Sequence, residues 1–302
     1  MRLHVLAASV LAAALSLSAC QHVQTSTPPA QVDVASAIAS SSGTAGADDN
    51  LNAVLWVQTS AEYRALSEQT FRAAAAQLDL ALAEGGWDAL VPRERANAGT
   101  GLPPAVVMDI DETVLDNSPY QARLVRDGAQ YDEVTWAGWV EEKTAAALPG
   151  VVGFARAATA RGITIVYISN RAQHLDEATI ANLRSVGMPV KDAGVFLGLG
   201  THVEGCEQHG SEKDCRRQQV GRGYRVLMQF GDQLGDFVQV LSNTADGRDA
   251  LLDAHGQWFG ERWWMLPNPT YGSWEPAAFN NDWSQPREAR RAAKRAALDL
   301  AP

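Results

Sequence analysis

The sequence predicts an α/β domain built on a parallel β-sheet flanked by helices, with a small, mainly helical cap. Five short apolar runs are separated by segments long enough to form helices. Runs that are buried on both faces and spaced in this way are typical of parallel strands joined by helices. Polar clusters directly follow three of the runs, where the carboxyl ends of parallel strands form a ligand crevice. The runs occupy residues 105–108, 163–168, 195–197, 225–230 and 263–266.

The segments around this sheet also have recognisable patterns. Residues 51–98 place Leu55, Tyr63, Phe71 and Leu78 at near-helical spacing, which predicts N-terminal helices. We expect the core of the domain to span residues 99–286, with the cap inserted at about 117–150. Residues 287–302 are predicted to form a C-terminal helical tail.

The N-terminus has the pattern of a lipoprotein signal peptide over residues 1–19. Arg2 precedes an apolar run, and Leu17-Ser18-Ala19-Cys20 forms a lipobox-like site. Residues 20–50 have the Ser/Thr/Pro/Ala/Gly bias of a disordered tether, which disfavours the alternative of a buried N-terminal helix. We expect cleavage before Cys20 and acylation of that residue, because two or more acyl chains anchor a protein stably. Gln21 after the cysteine favours the outer membrane of a bacterial envelope.

The overall charge limits the classes of partner. The formal net charge is −10, which argues against nucleic acid as a ligand. Beyond the N-terminal run, no apolar stretch approaches the ~20 residues that a membrane-spanning helix needs. The sequence leaves the oligomeric state open.

Acidic residues gather at the exits of two predicted strands. The stretch "VVMDIDETVLDNSPY" places Asp109 and Asp111 directly after the first run, and Asp232 and Asp236 follow the fourth. Four carboxylates at one sheet edge would repel one another unless a cation lay among them, and hard oxygen ligands suit Mg²⁺. Taken alone, the first acidic turn could equally be a helix N-cap. The sequence therefore predicts a magnesium site that depends on both segments.

Two cysteines remain if Cys20 carries lipid. Cys206 and Cys215 are an even pair in a polar segment, which favours a disulfide in an oxidising compartment. Zinc is the alternative, with His202 and His209 as the nearest further ligands.

Five signatures in order resemble the class C acid phosphatases of the haloacid dehalogenase superfamily. "DIDET", which begins at Asp109, resembles the superfamily's first motif, DxDxT. "YISNR" at 167–171, "SEKDCRR" at 211–217, "GDQLGDF" at 231–237 and "LPNPTYGSWE" at 266–275 follow it. The similarity is greatest to the lipoprotein e family of outer-membrane 5′-nucleotidases and spans about residues 52–275. It implies a Rossmann-like fold and a small-molecule phosphomonoester substrate.

The resemblance also implies a role for each polar residue. Asp109 would attack phosphorus to form an aspartyl-phosphate, and Asp111 would act as general acid and base. Ser169 and Lys213 would hold the phosphoryl oxygens, although Arg216 and Arg217 lie close to Lys213 in the sequence. Asn170 and Arg171 are expected to brace their loop, and Asp116 and Asn117 either stabilise the turn or contact substrate. Mg²⁺ would be bound by Asp109, the Asp111 backbone carbonyl and Asp232, with Asp236 as a supporting residue.

The implied substrates are nucleoside 5′-monophosphates and nicotinamide mononucleotide. By resemblance, Tyr131 and Tyr271 would sandwich the nucleobase or nicotinamide ring. The alternative for Tyr271 is a place in the core beside Trp263 and Trp264. The sequence contains no C-x₅-R, histidine-nucleophile or P-loop motif, which leaves the carboxylate route.

A second functional hypothesis is a non-catalytic surface lipoprotein that binds a nucleotide or another ligand on a phosphatase fold. The presence of both Asp109 and Asp111 favours the enzyme, because binding alone does not need an acid/base carboxylate.

Overall fold

The computed structural model of the protein describes residues 49–301. The predicted signal peptide, the lipidation site at Cys20 and nearly all of the predicted tether lie outside the described residues.

A five-stranded, fully parallel sheet lies at the centre of the fold, and a two-stranded antiparallel ribbon forms part of the cap. Each of the five predicted runs falls in a strand of the main sheet, so the predicted fold class is confirmed. The strands are β1 (Pro104–Met108), β2 (Leu115–Asp116), β3 (Ala146–Ala147), β4 (Thr164–Ala172), β5 (Phe196–Leu199), β6 (Arg225–Gly231) and β7 (Trp263–Met265). The order in the main sheet is β5-β4-β1-β6-β7, which puts β1 and β6 side by side at its centre.

Helices cover the sheet and form the cap. Ser60 separates the first two helices because its side chain accepts a hydrogen bond from the Tyr63 N–H at 3.1 Å and caps the second. The helices are α1 (Leu51–Thr59), α2 (Ala61–Ala83), α3 (Ser118–Asp127), α4 (Glu133–Glu142), α5 (Val151–Thr159), α6 (Asp176–Ser185), α7 (Asp214–Gly223), α8 (Ala245–His255), α9 (Trp274–Ala277) and α10 (Arg287–Ala296).

The core lies where α2 and α5 pack on one face of the sheet. Phe71 of α2, Phe154 of α5 and Phe230 of β6 are buried together, with ring centroids 4.6 to 6.0 Å apart. Aromatic pairs at these separations contribute beyond the area that they bury. The packing holds β6, and with it the carboxyl end of the sheet, in a fixed position.

The cap consists of α3 and α4 with the β2–β3 ribbon. Asn182 of α6 joins it to the core, because its amide donates to the Ala145 carbonyl at 2.8 Å and accepts from the Ala145 N–H at 3.2 Å. Within residues 49–301, no helix combines the length and the apolar character needed to cross a bilayer.

Candidate active site

Asp109 lies at the carboxyl end of β1, beside β6. Its backbone N–H donates to the Phe230 carbonyl at 2.9 Å, so the sheet itself fixes the position of the residue. The carboxylate is buried and contacts the ammonium of Lys213, which also donates to Asp236 Oδ1 at 2.6 Å. Burial opposes the charged form of Lys213, but the carboxylates of Asp109 and Asp236 raise its pKa above the ordinary value. Lys213 therefore lies as a cation between two acidic segments.

The loop after β6 is organised around Asp236. Its Oδ2 accepts the backbone N–H groups of Asp232 and Gln233 at 3.0 and 2.8 Å. Asp232 Oδ2 accepts the side-chain amides of Gln233 and Asn268, each at 2.8 Å. These bonds orient the Asp232 carboxylate without using its Oδ1, which has only a 3.5 Å contact from Thr113.

The carboxylates of Asp109, Asp232 and Asp236 form a cluster that could hold a divalent metal. One oxygen from each lies within 4.8 Å of the others. Burial raises the pKa of Asp232 to about 7, and the charge of Asp236 adds to that effect. Burial also raises the pKa of Asp109 well above its usual range, against the opposing effect of Lys213. Hard oxygen donors held together against their own repulsion fit a cation such as Mg²⁺.

Within this cluster, the structure separates two kinds of carboxylate. Both Asp236 oxygens are already hydrogen-bonded, by Lys213 and by the loop N–H groups. Asp109 and Asp232 each keep an oxygen with few protein partners. The geometry fits Asp109 and Asp232 as direct ligands and Asp236 as the residue that orients them.

Asp111 is held away from this cluster by a network of its own. Its Oδ1 accepts hydrogen bonds from Arg171 Nε and Asn117 Nδ2, both at 2.9 Å, and Ser169 Oγ lies 3.4 Å from its Oδ2. Glu112, the next residue, adopts a left-handed backbone conformation with φ of 58°. A non-glycine residue in that conformation carries strain of the kind that gathers at functional sites.

Asn117 and Arg171 connect the cap to this carboxylate. Asn117 Oδ1 accepts the indole N–H of Trp139 at 2.8 Å and also lies 3.3 Å from Arg171 Nη2. The Arg171 guanidinium lies 5.6 Å from the ring centre of Trp136. The sequence predicts loop bracing for Arg171 and, for Asn117, either a stabilised turn or a contact with substrate. Arg171 lies 60 positions from Asp111 and 54 from Asn117 along the chain, and no local signal contains the information that they meet.

The basic residues near Lys213 have different partners. Arg216 is fully buried and donates to the Ser169 carbonyl at 2.5 Å and to Asn170 Oδ1 at 2.7 Å. Arg217 forms a buried two-bond ion pair with Glu94, both bonds at 2.7 Å. Burial lowers the pKa of Arg216 to about 10, and its neighbour Arg217 adds to the effect. Lys213 is the member of this basic group that contacts Asp109.

A disulfide joins Cys206 to Cys215. Lys213 lies inside the loop that the disulfide closes, directly before α7. Asp214 is near both sulfurs, but bonded sulfurs are not thiolates and do not bind zinc. The structure therefore contains the disulfide that the sequence favours, and not the alternative zinc site.

The two candidate stacking residues lie on separate loops. Tyr131, in the loop before α4, is 54% exposed, and its ring centre lies 6.1 Å from that of Trp136. Tyr271 is partly buried, and its hydroxyl donates to the Glu112 carboxylate. Among the described residues, no ring contact joins Tyr271 to Tyr131 or places it in the aromatic core.

Comparison with known proteins bears directly on this arrangement. A family model described as the HAD superfamily, subfamily IIIB (acid phosphatase), matches residues 17–274. The chain belongs to this acid phosphatase family. Two structures of the class C acid phosphatase from Bacillus anthracis, one with tungstate bound, are 32% and 33% identical to it. In each, the match has a TM-score of 0.72 and covers 84% of this chain and 98% of that chain.

Plant members of the family have lower similarity. Acid phosphatase 1 of Solanum lycopersicum is 26% identical over 165 residues, which are 55% of this chain and 57% of that protein. Vegetative storage protein 1 of Arabidopsis thaliana is 25% identical over 166 residues, which are 55% of this chain and 54% of that protein. The chain thus spans a little over half the length of these curated relatives.

Proposed function

We propose that the protein is a magnesium-dependent acid phosphatase that hydrolyses phosphomonoesters at the carboxyl end of the sheet. Membership of the acid phosphatase family supports the reaction class. One observation carries the proposal: the buried Asp109 carboxylate contacts Lys213 and faces Asp232, while Asp111 is held separately by Arg171. A nucleophile, an acid/base group and a cation for the phosphate are thus present on one sheet edge.

The reaction has two steps. In the first, a carboxylate oxygen of Asp109 forms a bond to phosphorus as the ester P–O bond breaks, and Asp111 protonates the departing alkoxide. In the second, Asp111 takes a proton from water as that water attacks phosphorus, which releases phosphate and regenerates Asp109. Lys213 and the Ser169 hydroxyl hold the other phosphoryl oxygens throughout. The burial of Lys213 and Ser169 supports this role, since donors act most strongly where water is excluded.

Mg²⁺ would be held by the carboxylates of Asp109 and Asp232 and by the Asp111 backbone carbonyl, with Asp236 orienting the loop. Bound there, it would neutralise charge between the phosphate and the nucleophile. The tungstate bound to the Bacillus anthracis enzyme is a tetrahedral oxyanion like phosphate, which agrees with an anion site in this fold.

The proposed substrates are nucleoside 5′-monophosphates and nicotinamide mononucleotide. Tyr131 and Tyr271 support this choice because aromatic rings from two separate loops, one in the cap and one in the core, can stack on a planar base. The hydrogen bond from Tyr271 to Glu112 orients that ring from the turn that carries Asp111.

We also propose that the mature protein is anchored in the outer membrane of a bacterial envelope through lipid on Cys20. The apolar run before Cys20 and the paired cysteines of the body support this location. The Cys20→Ser variant should shift from the membrane fraction to the soluble fraction. Retention of that variant in the outer-membrane fraction would contradict the anchor.

Ligand binding without turnover is the second candidate, and the storage-protein name of one relative is the observation that favours it. The separate support of Asp109 and Asp111 argues for catalysis, because a binding site gains nothing from an oriented acid/base carboxylate.

Phosphate release by the purified full-length protein in detergent distinguishes the two candidates. We expect turnover of an aryl phosphate and of adenosine monophosphate, abolition by EDTA and recovery on addition of excess Mg²⁺. Binding of adenosine monophosphate without any phosphate release in Mg²⁺ would establish the second candidate instead. Full activity in EDTA would remove the metal from the mechanism.

A further inference from the structure

The C-terminal helix α10 lies with one face against the body of the protein. Arg290, Arg291 and Lys294 are partly buried, whereas Arg287 and Arg295 are exposed. Arg291 forms an ion pair with Asp49 at 2.8 Å. The other two partly buried cations contact loops beside the active site.

Arg290 binds the cap loop that carries Tyr131. Its Nη2 donates to Gln130 Oε1 at 2.6 Å. The same guanidinium lies 5.0 Å from the ring centre of Trp283 and 6.0 Å from that of Phe279, which restricts its orientation. An arginine held between rings loses little further freedom when it forms a hydrogen bond.

The cap loop is short, and its two ends are fixed by its own chain. Gly128 ends α3 in a left-handed conformation with φ of 62°, and the Asp132 side chain caps α4 by accepting from Val134 N at 3.0 Å. Gln130 lies between these ends, next to Tyr131. Gly128 and Asp132 fix only the ends of the loop. The contact with Arg290 therefore holds its middle.

Lys294 binds Glu275 at the start of α9, which directly follows the core loop that carries Tyr271. Its Nζ lies 3.0 Å from Glu275 Oε1. Glu275 closes the turn after Tyr271, because its N–H donates to the Gly272 carbonyl at 3.1 Å. Ser273 N in the same turn donates to Gln233 Oε1 at 3.0 Å, which connects the turn to the Asp232 loop.

One helical turn thus contacts both the loop that carries Tyr131 and the residues that directly follow the loop of Tyr271. The loops meet α10 at residues 290 and 294, four apart on one face, while the rings of Tyr131 and Tyr271 do not contact each other. Burial raises the pKa of Tyr131, and Glu133, Tyr120 and the Asp111 carboxylate add to that effect.

We propose that α10 is a clasp whose residues Arg290 and Lys294 are positioning residues for substrate specificity. The clasp holds the cap loop and the core loop at the separation that lets Tyr131 and Tyr271 engage one planar ring. Exposed polar contacts add little to global stability, but an ordered loop lowers the entropic cost of binding. The inference rests on the proposed function, and it identifies the residues that favour ring-bearing phosphomonoesters over small ones.

The test compares adenosine monophosphate with glycerol 3-phosphate, using the full-length protein. Arg290→Ala should raise KM for adenosine monophosphate roughly 3- to 10-fold, the effect of losing one solvent-exposed hydrogen bond of ordinary strength. We expect kcat for both substrates and KM for glycerol 3-phosphate to stay within about 2-fold. Arg295→Ala, an exposed arginine of the same helix, is the matched control and should change neither constant.

A double-mutant cycle with Gln130 separates positioning from structural damage. Gln130→Ala should raise KM for adenosine monophosphate as Arg290→Ala does, and the double variant should show no further rise. Gln130→Glu places a carboxylate opposite Arg290 and should keep KM near the wild-type value. Additive effects, or equal losses for both substrates together with a lower melting temperature, would overturn the clasp.

Equilibrium binding keeps this inference distinct from the proposed hydrolysis. Binding of adenosine monophosphate in EDTA should be weaker in Arg290→Ala than in the wild type, whether or not the wild type releases phosphate. Weaker binding with an inactive wild type would reject the proposed hydrolysis and keep the clasp. Unchanged binding with an active wild type would reject the clasp and keep the hydrolysis.

Discussion

The floor of the candidate site and its mouth are built in different ways. We define the floor as Asp109, Lys213, Asp232 and Asp236, which are buried or partly buried and joined by short polar contacts. The mouth consists of the loops that carry Tyr131 and Tyr271, and Tyr131 is 54% exposed. Buried charges without partners are costly, so each floor residue depends on the others. The mouth depends on a few contacts that water can replace.

This difference predicts two classes of variant. A change in the floor should affect every phosphomonoester, because all substrates present the same phosphoryl group to it. A change in the mouth should distinguish substrates by the group attached to the phosphate. A floor variant that discriminates between substrates, or a mouth variant that does not, would break the comparison.

Asp109→Asn should have the largest effect. An amide is a poor nucleophile, so we expect kcat to fall at least about 1,000-fold for every substrate tested. Folding should be retained, because the substitution removes a buried charge from a crowded cluster. Asp253→Asn, at an exposed position of α8, is the control. If Asp109→Asn retains more than about a tenth of wild-type activity, water attacks phosphate directly.

Arg171→Gln tests whether the network around Asp111 serves acid catalysis. Loss of a charged partner costs about 1.5 to 3 kcal/mol, which corresponds to roughly a 10- to 150-fold fall in kcat. An alkoxide needs a proton as it leaves, whereas nitrophenolate hardly does. The fall should therefore be larger for glycerol 3-phosphate than for p-nitrophenyl phosphate. Equal losses for the two substrates would mean that Arg171 supports the fold and not the acid.

Tyr271→Ala tests the mouth. Stacking of a base on an aromatic ring contributes about 1 to 3 kcal/mol, so kcat/KM for adenosine monophosphate should fall about 5- to 150-fold. Glycerol 3-phosphate has no ring and should lose much less. Tyr271→Phe keeps the ring but loses the bond to Glu112, and we expect an intermediate effect. Equal losses for both substrates with a lower melting temperature would assign Tyr271 a packing role.

Removal of the disulfide should have the smallest effect on turnover. Replacing Cys206 and Cys215 together with Ser should lower the free energy of unfolding by about 2 to 3 kcal/mol, because the short loop is no longer closed. Lys213 lies in that loop, so KM should rise a few-fold for all substrates alike. Denaturant unfolding and steady-state kinetics measure the two effects. Free thiols at both positions in protein isolated from the envelope would contradict the bond itself.

Local patterns in the sequence were enough for the fold class and for the carboxylates of the floor. Alternating apolar runs predict the strands because burial on both faces demands continuous apolar segments. Polar residues directly after a strand lie at the carboxyl edge in any parallel sheet, so Asp109, Asp232 and Ser169 could be assigned to one crevice before the strand order was known. Their catalytic roles stay predictions that the variants above test.

Only the tertiary structure decided which residues support that floor. Lys213, Arg216 and Arg217 are close together in the sequence, and nothing local distinguishes the one that contacts Asp109 from the ones that bind Ser169 and Glu94. Ser169 lies 47 positions from Arg216 along the chain, and Glu94 lies 123 positions from Arg217.

The same reason explains why the clasp has no signature in the sequence. A basic C-terminal helix is, by composition, an ordinary solvated tail, and the pattern over residues 287–302 predicts no more than a helix. Its contact with Gln130 joins residues 160 positions apart. The residues at the carboxyl ends of the strands can be identified from the apolar runs that precede them, because that pattern is local in the sequence. The pairing of distant polar groups depends on how the whole chain packs, and that is the information that the tertiary structure adds.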